Sequence, residues 1–102
     1  KALEYYQKAV ALKPDFGLAY FNMGLVYRDN QQTAEAIVAM RSALAQAPNF
    51  LEAQFQLGLL YFNSGKREEA KKSFGEVLRI APQSENARLS QQYLDFLKRS
   101  TP

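Results

Sequence analysis

Cysteine and histidine are both missing from these 102 residues. Without cysteine there are no disulfides and no thiolate-bound metals, and no redox compartment can be read. Without histidine the commonest general base, the commonest metal ligand and the usual partner of a serine nucleophile are gone. Long apolar runs are missing too: no stretch approaches the ~20 residues of a membrane span, and no signal peptide is visible. The charge imbalance is small, 13 basic against 10 acidic residues. In the densest basic stretch Lys66, Arg67, Lys71 and Lys72 are interrupted by Glu68 and Glu69. Such mixing reads as a solvated helix face, so neither nucleic acid nor membrane is expected as a partner.

What is present is apolar and helix-forming. Hydrophobic residues make up 47% of the chain, enough for a folded domain rather than a disordered one. Ala, Leu, Gln, Glu and Lys are frequent, and all favour helix. The length suits one domain, near the small end of what builds a core unaided.

Pro14, Pro48 and Pro82 recur every 34 residues. Laying residues 17–50 on 51–84 pairs Ala19/Ala53, Phe21/Phe55, Gly24/Gly58, Leu25/Leu59, Tyr27/Tyr61, Glu35/Glu69, Ala36/Ala70, Leu44/Leu78, Ala47/Ala81 and Pro48/Pro82. An unrelated offset of ordinary composition gives about two identities. Ala2, Ala9, Ala11, Pro14 and Phe16 join in, matching Ala36, Ala43, Ala45, Pro48 and Phe50.

Physical reasons account for the recurring positions. Gly24 and Gly58 fall within helical pattern, where glycine costs ~1 kcal/mol against alanine. Their shared register implies two helices in close approach, with Ala36 and Ala70 kept small on the facing helix. Met23, Tyr27 and Met40 fill the space beside one glycine; Leu57, Tyr61 and Phe74 fill it beside the other. The prolines end each second helix. Asp15, Asn49 and Ser84 are candidate N-caps after them, and Asn30 and Asn63–Ser64–Gly65 mark turns within repeats. Six helices are predicted, at 1–12, 16–29, 33–46, 50–63, 67–80 and 84–99, with neighbours antiparallel.

This pattern resembles the tetratricopeptide repeat, W-x2-L-G-x2-Y, then A-x3-F, then P. One repeat carries Tyr20-x2-Met23-Gly24-x2-Tyr27, Ala36-x3-Met40 and Pro48. The next carries Gln54-x2-Leu57-Gly58-x2-Tyr61, Ala70-x3-Phe74 and Pro82, and a leading half carries Ala2-x3-Tyr6 and Pro14. Tyr20 and Gln54 replace the preferred Trp, and Met40 the preferred Phe. The resemblance implies an all-α, right-handed superhelical stack of antiparallel helix pairs. Residues 1–102 are then one domain: 1–16 the second half of a repeat, 17–50 and 51–84 full repeats, and 84–99 a capping helix.

The two ends of the chain read differently. On the last helix Ala87, Leu89, Tyr93, Leu94, Phe96 and Leu97 share one half, while Glu85, Arg88, Gln91, Gln92, Asp95, Lys98 and Arg99 share the other. That is the form of a helix covering the final repeat and solvating the end of a stack. Residues 1–12 instead resemble a second helix without its first, leaving Leu3, Tyr6, Val10 and Leu12 short of cover. Either further repeats precede Lys1, or a second copy of the chain covers them and the fragment self-associates.

First helices carry more apolar surface than packing within a repeat needs. Leu18, Phe21, Asn22, Leu25 and Arg28 form a second stripe on one, and Glu52, Phe55, Gln56, Leu59, Phe62 and Asn63 form its counterpart on the next. In the family resembled, first helices line a concave surface that takes extended peptides or short helices. By that resemblance Phe21, Leu25, Phe55, Leu59 and Phe62 floor a groove, with Asn22, Gln56 and Asn63 as hydrogen-bonding groups. The plainer alternative is that Phe21 and Phe55 pack between repeats and that Leu89, Tyr93 and Phe96 cover Leu59 and Phe62. Some relatives clamp the acidic tail of heat-shock chaperones with Lys, Arg and paired Asn. Here only Asn22 matches: Leu25 and Leu59 replace the second Asn, and Phe21 and Phe55 stand where Lys is wanted. An apolar or amphipathic protein segment is therefore the expected partner.

No catalytic, cofactor or metal site is expected, so in a larger enzyme the chain would be a non-catalytic arm. Glu35, Glu68 and Glu69 lie at the starts of second helices, where acidic groups complement the helix dipole. Ser42, Ser64, Ser73, Ser84, Ser90 and Ser100 have no histidine to activate them. There is no phosphate-cradling glycine loop and no metal-ligand spacing.

Overall fold

A computed structural model describes residues 16–99. Its described residues form five helices and no strand: α1 (Phe16–Asp29), α2 (Thr33–Gln46), α3 (Leu51–Asn63), α4 (Arg67–Ile80) and α5 (Glu85–Arg99). Three predicted helices have the predicted bounds, while α3 and α5 each begin one residue later. The helix expected over 1–12, with Asp15 as a cap, lies outside the described residues. Each helix packs on the next, and α3 also touches α5.

The turns inside the repeats share one geometry. After α1, Gln32 N–H donates to the Tyr27 carbonyl (2.8 Å) and Gln31 N–H to that of Arg28 (3.0 Å). After α3, Lys66 donates to Tyr61 (2.9 Å) and Gly65 to Phe62 (3.2 Å). This paired closure needs one left-handed residue, supplied by Gln31 (φ 62°) and Gly65 (φ 77°). Asn30 lies in the first turn as expected, and its neighbour Gln31 carries the left-handed backbone.

The turns between repeats end differently. Ala47 (φ −138°) and Ala81 (φ −146°) leave the helical region, as residues before proline must when the ring crowds their backbone. The starts that follow also differ. Ser84 Oγ accepts the Ala87 N–H at 3.0 Å while its hydroxyl donates to the Ala81 carbonyl at 2.8 Å. The expected cap at Asn49 is absent. Phe50 takes the N-cap position of α3 without a side-chain cap, and its carbonyl accepts the Gln54 N–H at 3.1 Å. Its ring packs 4.9 Å from that of Phe21, and Asn49 Oδ1 instead accepts from Arg79 Nη2 at 3.4 Å.

Two clusters hold the stack. In the first, Ala36, Met40 and Ala43 of α2 meet Ala53, Leu57 and Leu60 of α3, joining one repeat to the next. In the second, Ala70 and Phe74 of α4 meet Leu97 of α5, with Tyr93 and Leu94 packed alongside. The Phe74 and Tyr93 rings stack at 4.9 Å and 5°. Arg67 Nη2 at the start of α4 donates to the Leu97 carbonyl at 2.7 Å. That bond satisfies one of the carbonyls a helix end leaves without an internal partner. On α5 every residue of the predicted polar half is exposed, while Ala87, Ser90 and Leu97 are buried.

Both mid-helix glycines sit where helices nearly touch. A Cβ built on Gly24 would lie 2.7 Å from Met40 Cε, and one on Gly58 would lie 2.7 Å from Phe74 Cε1. At both positions it is the tight space beside the glycine, not its backbone freedom, that a side chain would meet.

Candidate functional site

Every residue of the predicted stripe belongs to α1 or α3, the first helices of the two repeats. Their burial follows a gradient. Phe21 and Leu25 are half-buried against the first cluster. Phe55 and Leu59 are half-buried against the second, with the Phe55 ring 6.0 Å from that of Phe74. These side chains therefore pack between helices on one side and keep an exposed edge on the other. Leu18 is 47% exposed at one end of the stripe. Asn22 and Gln56 are half-buried; Arg28, Glu52 and Asn63 are exposed.

Phe62 has the closest cover. The Tyr93 ring meets it edge-on at 5.0 Å and Phe96 does so at 5.7 Å. The cover is partial, since Phe96 itself remains 49% exposed. Phe62, Leu89, Gln92, Tyr93 and Phe96 line an open cleft of about 320 Å³ between α3 and α5. The stripe thus continues onto the last helix, which sequence reasoning had treated as a cover only. The signal was available: Leu89, Tyr93 and Phe96 stand 34 residues after Phe55, Leu59 and Phe62.

Polar groups tie the stripe together at one point. Arg28 Nη1 donates to Gln56 Oε1 at 2.9 Å, bridging α1 and α3. Its Nε and Nη2 both donate to Asp29 Oδ1, at 3.1 and 2.9 Å. The guanidinium is therefore fixed from two sides and its charge balanced beside it.

A second hollow, of about 380 Å³, lies on the first helix pair between Tyr20, Met23, Tyr27, Ala34, Glu35, Val38, Ala39 and Ser42. Val38 there is 63% exposed. Met23 has the register of Leu57, which in the next repeat is buried against α2. Among the described residues no three His, Cys, Asp or Glu side chains gather as a metal site, and no helix is long and apolar enough to cross a membrane.

Comparison with known proteins gives consistent results. Two family models described as tetratricopeptide repeat match residues 27–93 and 5–38. A search of curated proteins returned no match. The first tetratricopeptide domain of Spaghetti (RPAP3), solved with the HSP90 peptide SRMEEVD, superposes with a TM-score of 0.85 at 23% identity. That match covers 97% of this chain and 78% of the other. The TPR2B domain of yeast Sti1, solved in a pHsp70 complex, gives 0.86 at 16% identity over 98% and 82% of the two chains. A tetratricopeptide repeat protein of Parabacteroides merdae gives 0.82 at 24% identity, over 94% of this chain and 38% of that one. At these identities the superpositions speak for the fold. With the larger family model spanning well over half of the sequence, and the paired glycine contacts and proline-terminated second helices in place, the chain belongs to the tetratricopeptide repeat family.

Proposed function

We propose that this chain is a non-catalytic protein-interaction scaffold that takes an apolar or amphipathic peptide, or a short helix, in a groove along its first helices. The carrying observation is the half-buried stripe on α1 and α3, exposed at Leu18 and continued by Phe96 on α5. Because these side chains are already half-buried, a partner covering their edges gains roughly half of the ~1.5–3 kcal/mol that full burial of a large apolar side chain supplies. The peptide-bound neighbours, one with an HSP90 peptide and one with pHsp70, support this use of the fold. Their ligands do not transfer with it, because Phe21, Leu25, Phe55 and Leu59 occupy the stripe here.

The test is selection of a random twelve-residue peptide library on the chain, followed by Leu18→Glu and Phe96→Glu. Leu18 is 47% and Phe96 49% exposed, so helix content should stay unchanged, with only a small loss in melting from the Phe62–Phe96 contact. Capture of the selected peptides should fall at least tenfold; undiminished capture would sink the groove reading.

A second reading has its own observation, the hollow around Met23 and Val38 on the opposite side of the first pair. There the chain would be an assembly element meeting another copy or a preceding repeat. Sedimentation over a range of concentrations separates the two, since a persistent monomer counts against self-association.

A further inference from the structure

Resting on the groove reading, we infer that Arg28 reads a neutral acceptor on the partner, a main-chain carbonyl of an extended segment, and that the groove discriminates against acidic partners. A guanidinium carries five N–H groups in a rigid plane. Three are engaged: Nε and one Nη2 N–H on Asp29 Oδ1, and one Nη1 N–H on Gln56 Oε1. One N–H on each Nη remains to donate. The side chain is 40% exposed on the same helical stripe as Leu25 and Phe21.

Charge decides what those donors suit. Asp29, 67% exposed, neutralises Arg28 at 2.9 Å, so the pair presents donors without net positive charge. A carboxylate approaching the free N–H groups also approaches the Asp29 carboxylate, and like charges at such range repel. A carbonyl oxygen meets no such penalty. Glu52, exposed on the same stripe of α3, adds a second negative charge. Gln56 matters for geometry, because its acceptor oxygen holds the guanidinium across the gap between repeats. An extended segment lying over Leu25 and Leu59 would pass this point with its backbone acceptors unpaired.

Two libraries of twelve-residue peptides, one complete and one lacking Asp and Glu, test this by selection on the intact chain. Binders are expected equally from both, with affinities changing less than about twofold between low and high salt. Arg28→Met should weaken a binder from the acid-free library about tenfold, as loss of a hydrogen bond from a charged donor does. Asp29→Asn should raise affinity for peptides bearing Glu and make it salt-dependent. Binders recovered only from the complete library, or Arg28→Met binding as well as the unchanged chain, would overturn the inference. Groove failure looks different: no binders from either library, or binders indifferent to Leu18→Glu and Phe96→Glu.

Discussion

Gly24 and Gly58 hold the same register in adjacent repeats and leave the same 2.7 Å of space, yet what fills that space differs. Against Gly24 lies the end of Met40, an unbranched thioether chain that adapts its shape. Against Gly58 lies the edge of Phe74, a rigid ring whose other side is stacked on Tyr93. The first repeat therefore closes on a pliable filler and the second on a layered aromatic stack shared with α5. Identical clearances beside a glycine can rest on unequal tolerance for change.

The largest expected effect comes from adding one methyl to each glycine. Gly58→Ala should lose about 1–2 kcal/mol of stability, because overpacking outweighs the gain in helix propensity. Gly24→Ala should stay within about 0.5 kcal/mol of the parent, since Met40 can turn aside. Urea denaturation of the two variants measures the contrast, and equal losses would erase the distinction between the repeats.

The two helix starts after proline offer a smaller contrast. Ser84→Ala removes a side-chain cap and should cost about 1 kcal/mol, whereas Asn49→Ala, one residue before the equivalent position and not capping, should cost less than about 0.5 kcal/mol. Thermal melting of both variants checks this.

The turns give effects of opposite signs, neither larger than that of the Ser84 cap. Gly65→Ala places a side chain in the left-handed region and should lose about 1 kcal/mol. Gln31→Gly relieves the same strain and should gain somewhat less than that, because glycine also frees the unfolded chain. If both changes destabilise, the Gln31 side chain has a role that the backbone does not reveal.

Much of this architecture was legible in the sequence because it repeats. A glycine and a proline returning at one interval exposed the close helix approaches and the helix ends. The polar half of α5 was readable from its wheel. Four features were not. Asn49 has the right chemistry for a cap, but the pull of Phe50 toward Phe21 moves the helix start past it. Gln31 carries the left-handed turn because the shared hydrogen-bond closure imposes that backbone on whichever residue stands there. The division of Phe21, Phe55 and Phe62 between core and surface depends on how neighbouring helices cross, which periodicity does not encode. In the same way the stripe's continuation onto α5 was hidden by reading that helix only as a cover.

The Arg67 contact with the Leu97 carbonyl fastens the open end of the α4–α5 hairpin. The last turn of a helix is ordinarily the first part of it to fray, shedding its amide protection residue by residue. With its end clasped to the start of the preceding helix, α5 instead opens together with the stack beneath Tyr93. Amides of its final turn are then expected to exchange with solvent at the pace of the whole hairpin, so that the hairpin behaves as a buckle rather than a loose thread.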